Sequence, residues 1–417
     1  MKNRILRKTI QEKLLKKTGR ILVLTGARQT GKTTLAKHIT DTYEYVSFDD
    51  PVLRDSWAEL SAEEWHKRYP MAVLDEVQKT PSVIESVKAV YEKYNDARYI
   101  LIGSSQILLL KQVRESLAGR VSLFELFPLT LPEARSVNWE KEIQPSLFYQ
   151  LINKTISIQE IIQEKPVLDE SFADKMIAWN NYLEFGHMPL MSDPELDNGE
   201  KRDWLKDYTL TYLQRDLGDL ARINDLDAFG KVQRQCALLT GRIINFSQLA
   251  SLGSVSANTA RKFVNYLELS YQTVLLPPWT RNELKRMVKS PKLHMIDPGI
   301  CRALSGHYSR LDGFEFESAV VSELYKQLKS WRLPGNLYHL RTSDGREVDA
   351  LLETDDGYYA FEIKMTKTFR KPDARCLRDL ELILDKPLLA GIVLSEDRKI
   401  HALAENMAAV PAAWFLG

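Results

Sequence analysis

The sequence predicts a multidomain α/β protein, and three observations lead to this fold class. The segment TGARQTGKTTLAKHI, residues 25–39, follows the apolar run at residues 21–24 directly and continues at helical spacing. From about residue 312, a helical pattern is followed by three strand patterns. The chain has 417 residues, which exceeds one ordinary hydrophobic core, so we expect several domains.

Composition is typical of a soluble globular protein. Apolar residues make up 44% and charged residues 27% of the chain, and the formal net charge is +1. Cys236, Cys301 and Cys376 are too few and too scattered for a disulfide framework or a thiolate zinc site, which favours a reducing cytosol. We find no signal-peptide core and no stretch of about 18 apolar residues. We therefore expect a cytoplasmic protein without a membrane span.

The glycine-rich segment predicts a nucleotide-binding loop, because it fits the P-loop (Walker A) pattern G-x-x-x-x-G-K-[ST]. Glycines let such a loop curl so that backbone N–H groups face phosphate oxygens, and the next helix adds its N-terminal dipole. We expect Lys32 to contact the β and γ phosphates of ATP and Thr33 to hold Mg²⁺. A glycine turn in a Rossmann-like unit is the alternative. The predicted nucleotide-binding residues are Gly26, Ala27, Arg28, Gln29, Thr30, Gly31, Lys32, Thr33 and Thr34.

A nucleotide site of this kind needs a second motif, which is acidic, about 40 residues after the glycine-rich segment. The segment MAVLDEVQ supplies it. Its apolar strand ends in Asp75 and Glu76. We expect Asp75 to be a Mg²⁺ ligand through water and Glu76 to polarise the water that attacks ATP. A strand that merely ends in two acidic residues is the alternative.

These motifs, with others along nearly the whole chain, resemble the prokaryotic AAA ATPases that carry a C-terminal domain of unknown function (the DUF 4143 type). The matching segments are LTGARQTGKTTL, VSFDDPVLR, VLDEVQKTP, LIGSSQILLL, SLAGRVSLFELFPLT, YLQRDLGDL, MVKSPKLHMID and GREVDALLE. The resemblance implies an AAA ATPase core over residues 1–130 that hydrolyses ATP with Mg²⁺.

The resemblance also implies three further site residues. Ser104 or Ser105, at the tip of a strand, would sense the γ-phosphate. Arg120 is a candidate for an arginine that reaches the ATP site of a neighbouring copy in a homo-oligomer, and Arg215 is a second candidate. For Arg120 the alternative is a solvated surface arginine, and for Arg215 it is an ion-pair network within its helix.

The middle of the chain predicts two units. Residues 131–225 have helical patterns and are expected to form a helical lid or connector. Residues 226–311 predict a winged-helix-like unit: a short helix at 247–251, a turn at Gly253, a longer helix capped by Ser256, and strands at 273–276 and 292–296. Its second helix is suited to a DNA major groove, although many such units only pack against other domains. The basic residues of the wing are Arg281, Lys285, Arg286, Lys289 and Lys292, against the single acid Glu283.

Residues 312–417 predict a PD-(D/E)XK nuclease-like α/β domain. Alternation along one strand puts Glu362 and Lys364 on the same face, with Asp349 on a neighbouring strand and Glu317 on a helix. Carboxylates suit Mg²⁺, so we expect Glu317, Asp349 and Glu362 to be metal ligands. We expect Lys364 to assist the nucleophile or to stabilise the charge that develops on the phosphate. Val348 replaces the usual proline of this motif. A domain with this change can still cleave DNA, or it can keep the fold and only bind DNA or a partner.

Two functional hypotheses follow. In the first, an ATPase drives a winged-helix and nuclease-like module on DNA, with basic surfaces near the N-terminus, in the wing and after Lys364. In the second, the protein is a nucleotide-dependent switch or interaction module whose C-terminal domain does not cleave. The basic segments favour DNA only if they converge in space, since otherwise they are solvated surface.

Overall fold

The computed structural model describes residues 2–103, 106–212, 226–282, 284, 286, 289–309, 311–342 and 345–417. The amino-terminal unit contains a parallel five-stranded sheet in the order β2-β3-β4-β1-β5. Its strands are β1 Ile21–Thr25, β2 Glu44–Ser47, β3 Met71–Asp75, β4 Arg98–Ile102 and β5 Val121–Glu125. Its helices are α1 Leu6–Leu14, α2 Lys32–Ile39, α3 Pro51–Ala58, α4 Ala62–Arg68, α5 Pro81–Lys93 and α6 Gln106–Ser116.

Both faces of this sheet are covered, which explains why β1 is a continuous apolar run. Ile21 and Val23 pack in a core that includes Val87 of α5. Leu22 and Leu24 point to the other face and belong to a second core, with α1 and α2. This arrangement confirms the predicted α/β fold class with a parallel sheet. Because all strands run in one direction, their carboxyl ends bring the loops after β1 and β3 together.

Helices follow in the middle of the chain, where the sequence predicts a lid or connector. They are α7 Leu131–Arg135, α8 Leu147–Ile152, α9 Ile158–Gln163, α10 Phe172–Phe185 and α11 Asn198–Asp207, with a π-helical turn at Tyr208–Tyr212. Helices α8, α9 and α10 share their apolar core with the C-terminal unit. Phe148 packs edge-on against Phe361 and Phe415, and Trp179 against Phe316. These short helices bury apolar faces on a distant sheet, which sequence spacing alone does not reveal.

The next unit combines helices with a small antiparallel sheet. Its elements are α12 Leu226–Leu238, β6 Arg242–Ile243, α13 Phe246–Gly253, α14 Ala257–Leu269, β7 Thr273–Leu276, β8 Lys292–Met295 and α15 Pro298–Ser305. The three strands lie in the order β6-β8-β7. The Ser256 hydroxyl accepts a hydrogen bond from the Thr259 amide at 3.1 Å and caps α14, as the sequence predicts.

The C-terminal unit is a mixed six-stranded sheet in the order β13-β14-β12-β11-β10-β9. Its elements are α16 Gly313–Ser330, β9 Asn336–Arg341, β10 Glu347–Glu353, β11 Tyr358–Lys364, β12 Leu388–Ser395, β13 His401–Ala404, β14 Met407–Pro411 and α17 Ala412–Leu416. Helix α16 also joins this unit to the amino-terminal unit. The buried Lys326 ammonium donates to the Leu129 carbonyl at 3.0 Å, and Glu323 accepts from the Leu131 amide at 2.7 Å.

Within the described residues, no helix is both long enough and apolar enough to cross a membrane.

Candidate functional site

The loop between β1 and α2 has the backbone of a phosphate-binding loop. Gly26 has a φ of +150°, and a Cβ at this position would lie 2.2 Å from the Leu126 carbonyl oxygen, so no larger residue fits. Gly31 has a φ of +89° and directly precedes α2. Both glycines therefore have backbone conformations that other residues rarely adopt.

Lys32, Thr33 and Asp75 converge at the carboxyl ends of β1 and β3. The buried Lys32 ammonium donates to the Gly26 and Ala27 carbonyls at 3.0 and 2.8 Å, so it folds over its own loop. The Thr33 hydroxyl donates to Asp75 Oδ2 at 2.6 Å. A hydroxyl and a carboxylate that meet in this way form a hard-oxygen donor set, and the residues present therefore fit Mg²⁺.

Tyr45 also contacts Asp75, a contact that sequence reasoning missed. Its hydroxyl donates to Asp75 Oδ2 at 2.8 Å, and the Lys37 ammonium lies 3.7 Å from the centre of its ring. Burial and the hydrogen bond to Asp75 raise the pKa of Tyr45. This contact depends on β2 lying beside the strand that ends in Asp75. Sequence reasoning missed it because strand order cannot be read from a sequence.

Glu76 is held in an uncommon backbone conformation at the end of β3. Its φ is +56°, in the left-handed region, and its amide donates to Asp75 Oδ1 at 3.0 Å. The Gln78 side-chain amide donates to the Glu76 carboxylate, and Gln112 in turn donates to the Gln78 carbonyl at 3.2 Å. The predicted water-polarising carboxylate therefore has a defined position next to Asp75.

The remaining predicted residues of the ATP site have different outcomes. Ser104, Ser105 and Arg215 lie outside the described residues. Arg120 is half-buried, and its guanidinium forms an ion pair with Glu92 of the same chain at 2.7 Å. The role of Arg120 in a neighbouring copy stays a prediction.

Three side chains from outside the motif contact the phosphate-binding loop or its strand. Arg4 donates to the Thr30 carbonyl at 3.1 Å, and the Tyr208 hydroxyl donates to the Arg28 carbonyl at 3.1 Å. The Tyr271 hydroxyl lies 2.7 Å from the Thr25 hydroxyl and donates to Glu125 at 3.1 Å. No local sequence signal could have found them, because Tyr271 lies 246 residues from Thr25 along the chain.

The acidic residues of the C-terminal unit also come together. Asp349 of β10 and Glu362 of β11 are buried, as is Glu317 of α16. Asp349 accepts a hydrogen bond from the Ile363 amide at 2.9 Å, and Lys364 contacts the Glu362 carboxylate. Burial and the neighbouring Asp349 charge raise the pKa of Glu362 to about 7. Burial and Asp349 also raise the pKa of Glu317.

An ammonium from β8 lies among these carboxylates. Lys292 Nζ is 2.7 Å from Glu317, 2.8 Å from Glu347 and 3.3 Å from Asp349, and Lys292 is only 2% exposed. No group of three His, Cys, Asp or Glu side chains in the described part of the chain has the arrangement of a metal site. In this conformation Glu317, Asp349 and Glu362 therefore do not fit a divalent cation, and their role as metal ligands stays a prediction.

A polar cavity of about 420 Å³ opens beside Glu362 and Lys364. Both basic and acidic side chains line it. It is lined by Gly345, Arg346, Glu347, Glu362, Lys364, Pro372, Asp373, Arg375 and Cys376.

Comparison with known proteins finds matches along the chain. Residues 18–135 match the family model described as an AAA domain, and residues 176–310 and 312–415 match two domains of unknown function, DUF8612 and DUF4143. An uncharacterised protein of Mycobacterium tuberculosis is 28% identical over 94% of this chain and 80% of its own length. An uncharacterised protein of Methanocaldococcus jannaschii is 22% identical over 91% of this chain and 83% of its own length.

Among solved structures, a Walker-type ATPase of Pyrococcus abyssi aligns with 72% of this chain and 95% of its own, at 12% identity and a TM-score of 0.43. The family matches confirm the resemblance that the sequence motifs indicate. They identify the chain as a protein with an AAA-type ATPase domain followed by a C-terminal domain of unknown function of the DUF4143 family.

Proposed function

We propose that this protein hydrolyses ATP at the amino-terminal site and couples turnover to an action on DNA. The observation that carries the ATPase half is the convergence of Lys32, Thr33 and Asp75 at one edge of the parallel sheet. Bound Mg²⁺ supplies charge neutralisation on the β and γ phosphates, and Thr33 and Asp75 would hold it.

The described contacts define what each residue has to do when ATP binds. When ATP binds, the Lys32 ammonium has to leave the Gly26 and Ala27 carbonyls and donate to the phosphates instead. Bonds to neutral carbonyls are then replaced by bonds in which both groups are charged. Glu76, held by Gln78, is positioned to orient the attacking water and accept its proton. The loop amides and the N-terminus of α2 contribute further donors to the phosphates.

Steady-state ATPase measurements test this half. Lys32→Ala should abolish turnover, and Glu76→Gln should still bind ATP while hydrolysing it about 10²-fold more slowly or worse. Lys67→Ala, at an exposed position of α4, is the matched control and should retain wild-type activity. Turnover that survives in Lys32→Ala would overturn the assignment of the site.

The DNA half rests on the unit formed by α12 to β8. The order of its helices and antiparallel strands supports the predicted winged-helix-like unit, and α14 has an exposed face that carries Asn258, Arg261, Lys262 and Asn265. Polar and basic side chains on one face of such a helix suit a major groove. This exposed face supports the proposal that α14 contacts DNA.

The wing is less suited to this role than its sequence suggests, because three of its five predicted cations make contacts within the protein. Arg281 donates to the Ile383 carbonyl at 2.9 Å, and Arg286 forms an ion pair with Glu353 at 2.8 Å. Lys292 is buried among carboxylates.

A second exposed basic surface follows β11, and it suits a phosphodiester backbone. Its residues are Lys367, Arg370, Lys371, Arg375 and Arg378.

Fluorescence anisotropy with duplex DNA tests the DNA half independently of ATP turnover. The double substitution Arg261→Ala with Lys262→Ala should weaken binding and reduce the slope of log K against log salt by about 2. The matched control is Lys67→Ala with Arg68→Ala, an adjacent Lys-Arg pair on the exposed side of α4. Equal affinities of the two double variants would remove α14 from the proposal and leave the ATPase half intact.

One observation favours a second candidate, a nucleotide-dependent switch whose C-terminal domain does not cleave. Lys292 contacts Glu317 and Asp349, two of the carboxylates that the sequence predicts as metal ligands. The switch predicts slow ATP turnover that DNA does not stimulate and an assembly state that changes with ATP. An ATPase assay with and without single-stranded, duplex and branched DNA separates the two, since only the first candidate predicts stimulation.

A further inference from the structure

The acidic pocket of the C-terminal unit is organised around a lysine that belongs to another unit. Glu317 lies on α16, whereas Glu347 and Asp349 both lie on β10, and all three carboxylates are within 3.3 Å of Lys292 Nζ. Lys292 is the first residue of β8 and is 2% exposed. A lysine is almost never buried without partners, so these contacts account for its position.

Two histidines also face the pocket, but they add no positive charge at pH 7. His294 and His339 are buried, and neither ring nitrogen of His294 has a hydrogen-bond partner among the described residues. Burial and the Lys292 charge lower the pKa of His339 to about 4, and they lower that of His294 as well, so both rings are neutral at pH 7. Lys364 contacts Glu362 at the cavity side of the pocket. Among the described residues, Lys292 is therefore the cation that contacts Glu317, Glu347 and Asp349 together.

A divalent cation at this position would need the same oxygens. Carboxylate oxygens bind Mg²⁺ at about 2.1 Å, and an ammonium that already lies within hydrogen-bond distance of them occupies the space that the metal requires. Both cations cannot occupy these oxygens at once unless the Lys292 ammonium moves away, and its strand β8 is hydrogen-bonded to β6 and β7.

We propose that Lys292 is a resident cation that replaces the metal ion in the acidic pocket and closes the pocket to divalent cations while β8 is in place. The C-terminal domain in this state binds no catalytic metal. Removal of the Lys292 charge converts the same carboxylates into a divalent-cation site.

Mn²⁺ binding to the nucleotide-free, full-length protein tests this proposal, with free Mn²⁺ counted by electron paramagnetic resonance. Four proteins are compared: wild type, Asp349→Asn, Lys292→Met and the double variant. Methionine keeps the length of the lysine stem without its charge. We expect Lys292→Met to bind one Mn²⁺ more than the other three proteins, and its melting temperature to rise more with Mn²⁺ than that of the wild type.

Two results would overturn the proposal. One is a wild-type protein that binds one Mn²⁺ more than Asp349→Asn, because the pocket would then take a metal with Lys292 present. The other is a folded Lys292→Met protein that binds no more Mn²⁺ than the double variant. If Lys292→Met does not fold with or without Mn²⁺, the comparison of wild type with Asp349→Asn decides alone. Lys292→Arg keeps the charge and should behave as the wild type does.

Discussion

Arg4 offers a sharp test of how the amino-terminal segment stabilises the nucleotide site. Its side chain is 5% exposed, and its Nε lies 3.2 Å from an oxygen of the fully buried Glu133. Its two terminal nitrogens donate to the Thr30 and Phe127 carbonyls at 3.1 and 2.6 Å. Arg4→Met removes the charge and these donors while keeping an unbranched apolar stem.

The expected loss follows from what is left behind. Breaking one side of a buried ion pair costs about 3–5 kcal/mol, because the partner stays buried and charged. Glu133 keeps hydrogen bonds from the Ile5 and Thr130 amides at 2.8 and 2.9 Å, which favours the lower end, about 3 kcal/mol. Adding Glu133→Gln should recover part of this loss, since the buried charge is then removed.

Urea unfolding followed by tryptophan fluorescence measures the effect, with the transition of the amino-terminal unit compared among variants. Arg7→Met is the matched control, because Arg7 lies three residues further along in α1, is half-buried and donates to the Trp139 carbonyl. It should cost about 1 kcal/mol or less. The reasoning fails if Arg4→Met costs no more than the control, or if Arg4→Met with Glu133→Gln is no more stable than Arg4→Met alone.

Three further predictions follow from the described contacts. The folded-state pKa of His339, about 4, lies below its unfolded value of about 6.5, so its contribution to stability is complete above pH 6.5 and lost as pH falls towards 4. The stability advantage of the wild type over His339→Asn in urea should therefore shrink by up to about 3 kcal/mol between pH 7 and pH 4, and a constant difference would contradict this. Tyr45→Phe removes one hydrogen bond to Asp75 and should lower kcat/KM for ATP by roughly 5-fold, whereas an unchanged value would show that the contact does not orient Asp75. Phe148→Ala should cost about 3–5 kcal/mol in urea unfolding, against a small effect for Leu168→Ala at an exposed position, and equal effects would mean that α8 is not part of the C-terminal core.

Local patterns predicted the elements that carry the ATP site, because the residues of each motif are neighbours in the sequence. The loop before α2 and the strand ending at Asp75 lie where their sequences place them. The contacts between units could not be predicted in this way. Lys292 reads as a DNA-binding cation from its basic neighbours, but it meets Glu347 and Asp349, which lie 55 and 57 residues away along the chain. Charge type is visible in a sequence, and the partner that neutralises it is not.

The small sheet of β6, β7 and β8 lies between the two chemical sites. Tyr271, two residues before β7, contacts Thr25 and Glu125 at the ends of β1 and β5, and Lys292 begins β8 in the acidic pocket. Strands β7 and β8 are hydrogen-bonded, with Leu276 opposite Lys292. A displacement of β8 that withdraws Lys292 must therefore either break these bonds or move β7 and the contacts of Tyr271. Any coupling free energy between the sites has to be equal in both directions, so a nucleotide that favours the withdrawn position would bind more tightly when a metal fills the pocket.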